Sequence, residues 1–165
     1  MSPFRPDLLD VWIFRVAEPA DIEILLLRRS PAKRVLPGLW QCVSGGLEAD
    51  EPITGGALRE LAEETGFGAA EIEAFFELDQ INQFHEPAVG AILSSAVFAV
   101  RVRSDAEPTL SHEHDAMRWV SPGEALELTV WPAYRESIRR IVENLTDPAR
   151  AIWFELTLAG ERARR

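Results

Sequence analysis

Three glutamates stand at helical spacing in the middle of the chain, and their arrangement is suited to binding a metal ion. Glu60, Glu63 and Glu64 are at positions i, i+3 and i+4, so a helix would hold their carboxylates within one sector of about 100°. Further acidic residues precede this stretch, at Glu48, Asp50 and Glu51. So many carboxylates repel each other unless a cation lies among them. Mg²⁺, which prefers oxygen ligands, would relieve that repulsion.

Two kinds of residue in the same segment would support such a site. Arg59 lies among the acidic residues and can pair with carboxylates on adjacent helical turns, which would fix their rotamers. Gly45 and Gly46 allow the chain to turn tightly and would bring backbone carbonyls close to the metal. Three glutamates alone would indicate only a solvated acidic helix face, so the surrounding positions decide between the two interpretations.

The hydrophobic pattern predicts the elements that would hold this segment in place. A helix is predicted over Thr54–Thr65, with Gly66 as its C-terminal stop. A capping box at Ser121–Glu124, with proline at the first helical position, predicts a short helix, and a longer one is predicted over Pro132–Asn144. Strands are predicted at Leu8–Val16, Asp21–Arg28, Leu39–Val43, Ile72–Leu78, Val89–Val102 and Met117–Val120, and Ala151–Leu158 has strand character.

Polar segments rich in glycine or proline separate these elements. We predict a turn at Ala17–Asp21, a loop with several basic residues at Ser30–Gly38, and a break in the strand pattern at Ser44–Gly46. Asp79–Pro87 is either a polar surface loop or a segment that contacts a base or sugar. Because strands and helices are mixed without regular alternation, the expected fold is one α+β domain over residues 1–165, with helices packed on a mixed sheet.

The composition excludes several classes of protein. Apolar residues make up 47% of the chain and charged residues 27%, which is ordinary for a globular domain. The net charge of −10 argues against DNA or RNA polymers as partners but is compatible with a small phosphorylated substrate. No signal peptide or membrane helix is visible, and the only cysteine, Cys42, cannot form an intrachain disulfide. We therefore expect a cytoplasmic protein that does not bind membranes.

The segment Gly45–Phe67 resembles the Nudix box, G-x5-E-x7-R-E-U-x-E-E-x-G-U, where U is a bulky apolar residue. All fixed positions match without an insertion, at Gly45, Glu51, Arg59, Glu60, Leu61, Glu63, Glu64, Gly66 and Phe67. The resemblance implies an α/β/α sandwich in which the box forms a loop–helix–loop. It also implies that the protein is an enzyme in which water attacks a phosphorus atom of a phosphoanhydride, with Mg²⁺ or Mn²⁺ as cofactor.

The same resemblance implies a role for each polar residue of the box. The metal ligands would be Glu60, Glu64, Glu63 and the carbonyl oxygen of Gly45. Glu63 is interpreted alternatively as the base that activates water. Arg59 would orient the carboxylates, and Glu51 would support the loop and contact the metal through water.

Both flanks of the box resemble bacterial dihydroneopterin triphosphate pyrophosphohydrolases, also called dATP pyrophosphohydrolases. Leu39–Gly45 is similar to their W-Q-x-V-[ST]-G run, and Glu113–Trp119 to their E-H-x-x-x-[KR]-W run. The second likeness implies that Glu113 is a further metal ligand, the alternative being an acid of an ordinary loop. Arg28 and Arg29, which follow an apolar strand as in that branch, are candidate substrate-binding residues. Trp40 is interpreted either as a base-stacking residue or as part of the core.

We therefore expect hydrolysis of a nucleoside triphosphate or a similar compound to a monophosphate and pyrophosphate. The alternatives are a Nudix hydrolase for nucleotide sugars, dinucleoside polyphosphates or coenzyme A, and a Nudix domain that senses a nucleotide without cutting it. Leu25–Ser30 resembles the coenzyme A branch slightly, but its F-P-G-G run is absent. The expected partner is a small nucleotide-like molecule. The sequence leaves the oligomeric state open, a homodimer included.

Overall fold

A mixed sheet forms the centre of the computed structural model, which describes residues 4–18 and 21–163. Within those residues its strands are β1 (Leu8–Glu18), β2 (Asp21–Arg29), β3 (Trp40–Gln41), β4 (Val43–Gly46), β5 (Ile72–Glu86), β6 (Ala91–Val102), β7 (His114–Val120) and β8 (Glu155–Leu156). The order across the sheet is β3-β2-β1-β6-β5-β8, with β4 also beside β1 and β7 beside β2. β1 and β6 pair in parallel, and the other pairs are antiparallel.

Helices cover both faces of this sheet. They are α1 (Ile53–Thr65), α2 (Pro122–Leu128), α3 (Pro132–Arg140), which continues as a π-helical turn over Ile141–Leu145, and α4 (Pro148–Ala151). α1 ends at Gly66, whose φ of 74° is left-handed and suits glycine. α2 begins where Ser121 Oγ accepts a hydrogen bond from the Glu124 backbone N–H at 3.2 Å. Both helix ends lie where the sequence predicts them, because each has a local cause.

Alternating side chains of β1 divide the core into two halves. Leu9 and Ile13 are buried in the cluster that contains Leu61 of α1. Trp12 is buried in the other cluster, together with Ile138 of α3. Because successive residues of a strand point to opposite faces, this one strand anchors helices on both sides. The predicted α+β sandwich, with a mixed sheet between helices, is confirmed.

The prediction of a connecting loop at Asp79–Pro87 is wrong. β5 runs through Glu86 and pairs with β6 as a long hairpin, with an irregularity in register between Glu77 and Ile81. Asp79 lies in that irregularity with a φ of 48°. Polar residues are tolerated in this strand because the neighbouring strand satisfies its backbone while many of its side chains face solvent. β6 correspondingly begins at Ala91 and not at Val89.

Two further strand predictions need correction. The predicted strand Leu39–Val43 is divided, because β3 pairs with β2 whereas β4 pairs with β1. Ser44–Gly46 does not break the pattern but belongs to β4. The strand character assigned to Ala151–Leu158 is restricted to β8, because Asp147 caps α4 just before it and the chain turns after that helix.

Some sequence predictions fall on positions that the structure does not describe. The predicted turn Ala17–Asp21 includes residues 19 and 20, and the predicted domain 1–165 includes residues 1–3 and 164–165, all of which lie outside the described residues. Of the helices in the described ranges, none has the length and apolar character needed to cross a membrane.

Candidate active site

The carboxylate of Glu60 lies directly against the backbone of Gly45. A methyl group added at Gly45 would overlap the carboxyl carbon of Glu60, whereas one added at Gly46 would meet no atom within 4 Å. Gly45 is held in place by its pairing with Leu9 of β1, and Glu60 projects from the middle of α1. The sheet and the helix therefore meet at this point, and a side chain at residue 45 would push the Glu60 carboxylate out of its position.

Arg59 holds the acidic side chains of the box together. Its Nε and Nη2 donate to the two carboxylate oxygens of Glu51 at 2.9 and 3.0 Å. Nη1 donates to Glu60 at 2.8 Å and to Glu63 at 3.3 Å, and Nη2 also donates to the carbonyl of Gly46 at 2.9 Å. The Glu51 and Glu60 hydrogen bonds raise the pKa of Arg59, and its guanidinium lowers the pKa of Glu51. The structure thus pairs Arg59 with carboxylates of the loop and of adjacent positions in the helix, and the orienting role of Arg59 in catalysis stays a prediction.

Glu64 differs from the other box glutamates because it is almost entirely buried. Its exposed fraction is 3%, and its Oε2 atom has no hydrogen-bond partner among the described residues. Burial, followed by the negative charges of Glu113 and Glu60, raises the pKa of Glu64 to about 8, and a backbone hydrogen bond from Ser44 partly opposes this. A buried carboxyl oxygen without a partner is costly, and a cation or a hydrogen-bond donor at this atom would relieve that cost.

His114 lies beside the buried carboxyl group of Glu64, and Gln41 lies beside His114. His114 Nε2 lies 3.7 Å from Glu64 Oε2 and 3.3 Å from Gln41 Nε2. Burial lowers the pKa of His114 to about 4, so the imidazole is neutral at pH 7. Nothing in the local sequence indicates that His114 pairs with Gln41, which is distant along the chain.

Glu113 is paired with a residue that the sequence does not single out. Lys33 Nζ lies 2.8 Å from Glu113 Oε2. A backbone hydrogen bond also joins the two segments, because Ser30 N–H donates to the carbonyl of Glu113 at 2.8 Å. Hydrogen bonding to Lys33 lowers the pKa of Glu113. Lys33 is one of several basic residues in its loop, and nothing in its local sequence distinguishes it.

The candidate substrate-binding residues lie at the ends of β2 and β3. Arg28 donates to both carboxylate oxygens of Asp115, at 2.8 and 3.0 Å. Its guanidinium carbon lies 5.7 Å from the centre of the Trp40 ring, and Trp40 is half-buried against the core on the α3 side of the sheet. Arg29 donates instead to the carbonyl of Val35 at 3.0 Å. Trp40 therefore combines a core contact with a partly open ring.

The predicted metal ligands converge on one region but do not form a ready coordination sphere. Across residues 4–18 and 21–163, no three acidic, histidine or cysteine side chains are arranged to hold an ion. Glu60 and Glu63 are turned toward Arg59, and Glu113 toward Lys33. The residues nevertheless fit a hard divalent cation, because the donors are all oxygens and Glu64 Oε2 is buried without a partner. A bound cation would share these carboxylates with Arg59 and Lys33, each of which contacts one oxygen of Glu60 or Glu113.

Comparisons with known proteins agree with this geometry. A family model described as "NUDIX domain" matches residues 8–141. The chain is 34% identical to CTP pyrophosphohydrolase of Escherichia coli over 110 residues, which cover 66% of this chain and 75% of that protein. It is also 35% identical over 125 residues to a protein of Myxococcus xanthus named octanoyltransferase. That match covers 73% of this chain but only 32% of the longer relative.

A solved structure shares the fold. The dihydroneopterin triphosphate pyrophosphohydrolase of E. coli is similar with a TM-score of 0.70 and 23% identity, covering 84% of this chain and 95% of that one. At that identity the likeness concerns the fold. The resemblance of the box, the match of the family model and the identity to a pyrophosphohydrolase agree with each other. The chain belongs to the Nudix family and is a hydrolase that acts on phosphorus anhydrides.

Proposed function

We propose that this Nudix hydrolase cleaves a nucleoside triphosphate or a similar compound to a monophosphate and pyrophosphate, with Mg²⁺ or Mn²⁺ as cofactor. The proposal rests on the positions of Glu60 and Glu64, whose carboxyl groups lie next to the backbone of β4 at Gly45 and Ser44. One carboxylate lies against a glycine backbone and the other, a helical turn away, has a buried free oxygen. The relative named CTP pyrophosphohydrolase supports a triphosphate as the substrate class.

The proposed ligands come from three elements. They are the carboxylates of Glu60, Glu64 and Glu113 and the carbonyl oxygen of Gly45, with Glu63 as an additional ligand or as the base. A divalent cation bound there would neutralise charge on the phosphate oxygens and make a bound water more acidic. The protein would present oxygen ligands from α1, from β4 and from the residue just before β7, so that substrate phosphates enter between them.

Glu63 is suited to accept the proton of the attacking water. Its side chain is 58% exposed, and its contact with Arg59 is the longest that this guanidinium makes, at 3.3 Å. Glu63 can therefore turn toward the substrate at low cost. Arg59 would retain its two hydrogen bonds to Glu51 when Glu60 and Glu63 move away. In this proposal Arg59 and Glu51 hold the loop against the helix throughout the reaction.

The base and the outer phosphates would lie against the side chains at the ends of β2 and β3. Trp40 has a partly open ring that can stack on a base, and Arg28 stands beside it. Arg28 is 41% exposed and its partner Asp115 is 30% exposed, so water competes for the pair and a phosphate oxygen can replace the carboxylate. Arg29, whose strand partner is His114, would add positive charge near the buried end of the site.

A substrate panel in H₂¹⁸O tests the proposal. The panel contains the four ribonucleoside and four deoxyribonucleoside triphosphates, ADP-ribose, a dinucleoside tetraphosphate and coenzyme A, each with Mg²⁺. Mass spectrometry identifies the products and the phosphorus atom that receives ¹⁸O. Glu60→Gln and a sample treated with excess chelator serve as controls. We expect a monophosphate and pyrophosphate from at least one triphosphate, with both controls close to background.

Other results would overturn specific parts of the proposal. Release of single orthophosphate from triphosphates would contradict the cleavage position. Faster hydrolysis of ADP-ribose, the dinucleoside tetraphosphate or coenzyme A than of any triphosphate would contradict the substrate class. Full activity in the presence of excess chelator would contradict the metal mechanism. Binding of nucleotides without any hydrolysis would indicate a sensor.

A further inference from the structure

Lys33 occupies a position at which a cation is expected. Its Nζ lies 2.8 Å from Glu113 Oε2, and its positive charge also lowers the pKa of Glu64. The same ammonium group therefore acts on two of the proposed metal ligands. In these positions Lys33 compensates part of the negative charge that the metal would otherwise neutralise.

The loop that carries Lys33 is fixed by backbone hydrogen bonds, whereas the Lys33 side chain is partly exposed. Lys33 N–H donates to the carbonyl of Ser30 at 3.0 Å, and Ser30 N–H donates to the carbonyl of Glu113 at 2.8 Å. The Lys33 side chain itself is 30% exposed and that of Glu113 is 37% exposed. The backbone therefore keeps the ammonium group near Glu113, while the flexible side chain can change partner without moving the loop.

A metal at Glu113 and the Lys33 ammonium group would share one carboxylate, of which Lys33 contacts Oε2. Binding both brings two positive charges close together, and their repulsion disfavours the shared arrangement. We propose that Lys33 is an internal counter-ion that the metal displaces from Glu113, and that the displaced ammonium group then binds a phosphate oxygen of the substrate. This inference rests on the proposed function, since it requires a metal at Glu113.

The exchange has opposite effects on two binding constants. Removing Lys33 should strengthen binding of Mn²⁺ to the free protein, because no competitor remains at Glu113. It should weaken binding of a triphosphate, because a phosphate contact is lost. A group that serves only to stabilise the loop would not shift the two affinities in opposite directions.

Arg34 provides a matched control. It is the next residue of the same loop, it is exposed, and it forms no ion pair with any other described residue. Lys33→Met and Arg34→Met each remove one positive charge from the loop and retain an unbranched side chain. A general electrostatic effect would appear in both variants, whereas competition at Glu113 would appear only in the first.

Isothermal titration calorimetry at pH 7.5 tests the proposal without turnover. We expect Lys33→Met to bind Mn²⁺ about threefold to fivefold more tightly than the unaltered chain, as for loss of a partly exposed ion pair, and Arg34→Met to change less than twofold. With Mn²⁺ present, the α,β-methylene analogue of a triphosphate should bind Lys33→Met about threefold more weakly or worse. In the Glu113→Gln background, Lys33→Met should no longer strengthen Mn²⁺ binding.

The outcomes separate failure of this inference from failure of the proposed function. If the unaltered chain does not bind Mn²⁺, the proposed metal site is wrong. If it binds Mn²⁺ but Lys33→Met leaves both affinities unchanged, or Arg34→Met produces equal shifts, the exchange of partners is wrong and the metal site stands. Thermal melting of each variant shows that the fold is retained.

Discussion

His114 Nε2 lies 3.7 Å from Glu64 Oε2, and both side chains are buried. The distance would suit an ion pair, but the pKa of His114 is about 4 and that of Glu64 about 8. At pH 7 without metal, the imidazole is therefore neutral and the carboxyl group mostly keeps its proton. Without a metal, the buried pair of His114 and Glu64 therefore carries almost no net charge at pH 7. A bound cation would displace the proton of Glu64.

The first prediction is that Mg²⁺ binds more tightly as pH rises, because Glu64 must lose its proton to become a ligand. With a pKa of about 8, the association constant should rise roughly eightfold from pH 6.5 to 7.5 and less than about twofold from pH 8.5 to 9.5. His114 titrates well below this range. Calorimetric titration at each pH measures the effect.

Glu64→Gln is the control for that experiment. It removes the group that titrates while leaving the shape of the side chain nearly unchanged. Mg²⁺ binding should be weaker in this variant and nearly independent of pH between 6.5 and 9.5. A steep pH dependence that survives in Glu64→Gln would assign the titration to a different group.

The second prediction compares the two glycines that begin the box. Gly45→Ala should lower turnover by about 100-fold or more, as expected when a metal ligand is forced out of place, because the new methyl group would overlap the Glu60 carboxyl group. Gly46→Ala should stay within about threefold of the unaltered enzyme, since the space beside it is open. Steady-state kinetics on the preferred substrate measures both. Equal losses in the two variants would contradict a special role for Gly45.

The third prediction concerns the two buried or half-buried glutamates of α1. Glu60→Gln and Glu64→Gln should each reduce turnover by about 100-fold or more, because each removes charge from a proposed metal ligand. Both proteins should remain folded, as judged by circular dichroism. Near-normal turnover in both variants would contradict the assignment of these ligands.

The same substitution at Glu64 should raise stability in the absence of metal. The raised pKa means that the folded state retains a proton which the unfolded chain releases. The stability from this proton is fully present below pH 4.5 and is lost as pH rises through about 8. At pH 9 Glu64→Gln should therefore melt higher, by about 2–4 °C for each kcal/mol recovered. At pH 4 the two chains should melt alike.

The fourth prediction contrasts two aspartates near the start of β1. Burial raises the pKa of Asp10, although the nearby polar groups of Ser44 and Ser95 and a hydrogen bond from the side-chain amide of Asn82 at 3.3 Å partly oppose this. Asp10→Asn should therefore stabilise the protein by roughly 1 kcal/mol at pH 8, and the gain should diminish as pH falls toward 3.8. Denaturant unfolding at several pH values measures the difference.

Asp7 should behave in the opposite way. It accepts hydrogen bonds from the backbone and hydroxyl of Ser94 at 2.8 and 3.0 Å, which lower its pKa. Asp7→Asn should destabilise the protein at neutral pH, and this loss should disappear as pH falls through the lowered pKa. If both substitutions shifted stability in the same direction at pH 8, the different surroundings of the two carboxylates would not explain the results.

Local patterns in the sequence predict the parts of the site that are close together along the chain. α1, its end at Gly66 and the cap at Ser121 follow from residue types within one or two helical turns. The helical spacing also places Glu60 and Glu64 on one side of α1. It does not reveal that Glu64 is buried, because the strands that cover it come from distant segments of the chain.

The remaining contacts depend on strand register, which the sequence does not display. Gln41 meets His114 and Lys33 meets Glu113 because β3 and β7 lie on either side of β2. The hairpin between β5 and β6 is missed for a related reason. Its outer half is polar, and backbone pairing with β6 determines its structure more than side-chain hydrophobicity does.

The pairing of β4 with β1 makes the proposed catalytic centre sensitive to insertions and deletions as well as to substitutions. Gly45 faces Glu60 only because Leu9 is its partner across the strands. Since side chains alternate between faces, a slip of one position would present Ser44 or Gly46 to the helix and send Gly45 to the opposite side. Loss or gain of a single residue between β3 and β4 that shifts this register would thus disrupt the proposed site in a molecule whose composition is almost unchanged. The length of this short connection matters to the proposed site as much as the identity of its glutamates does.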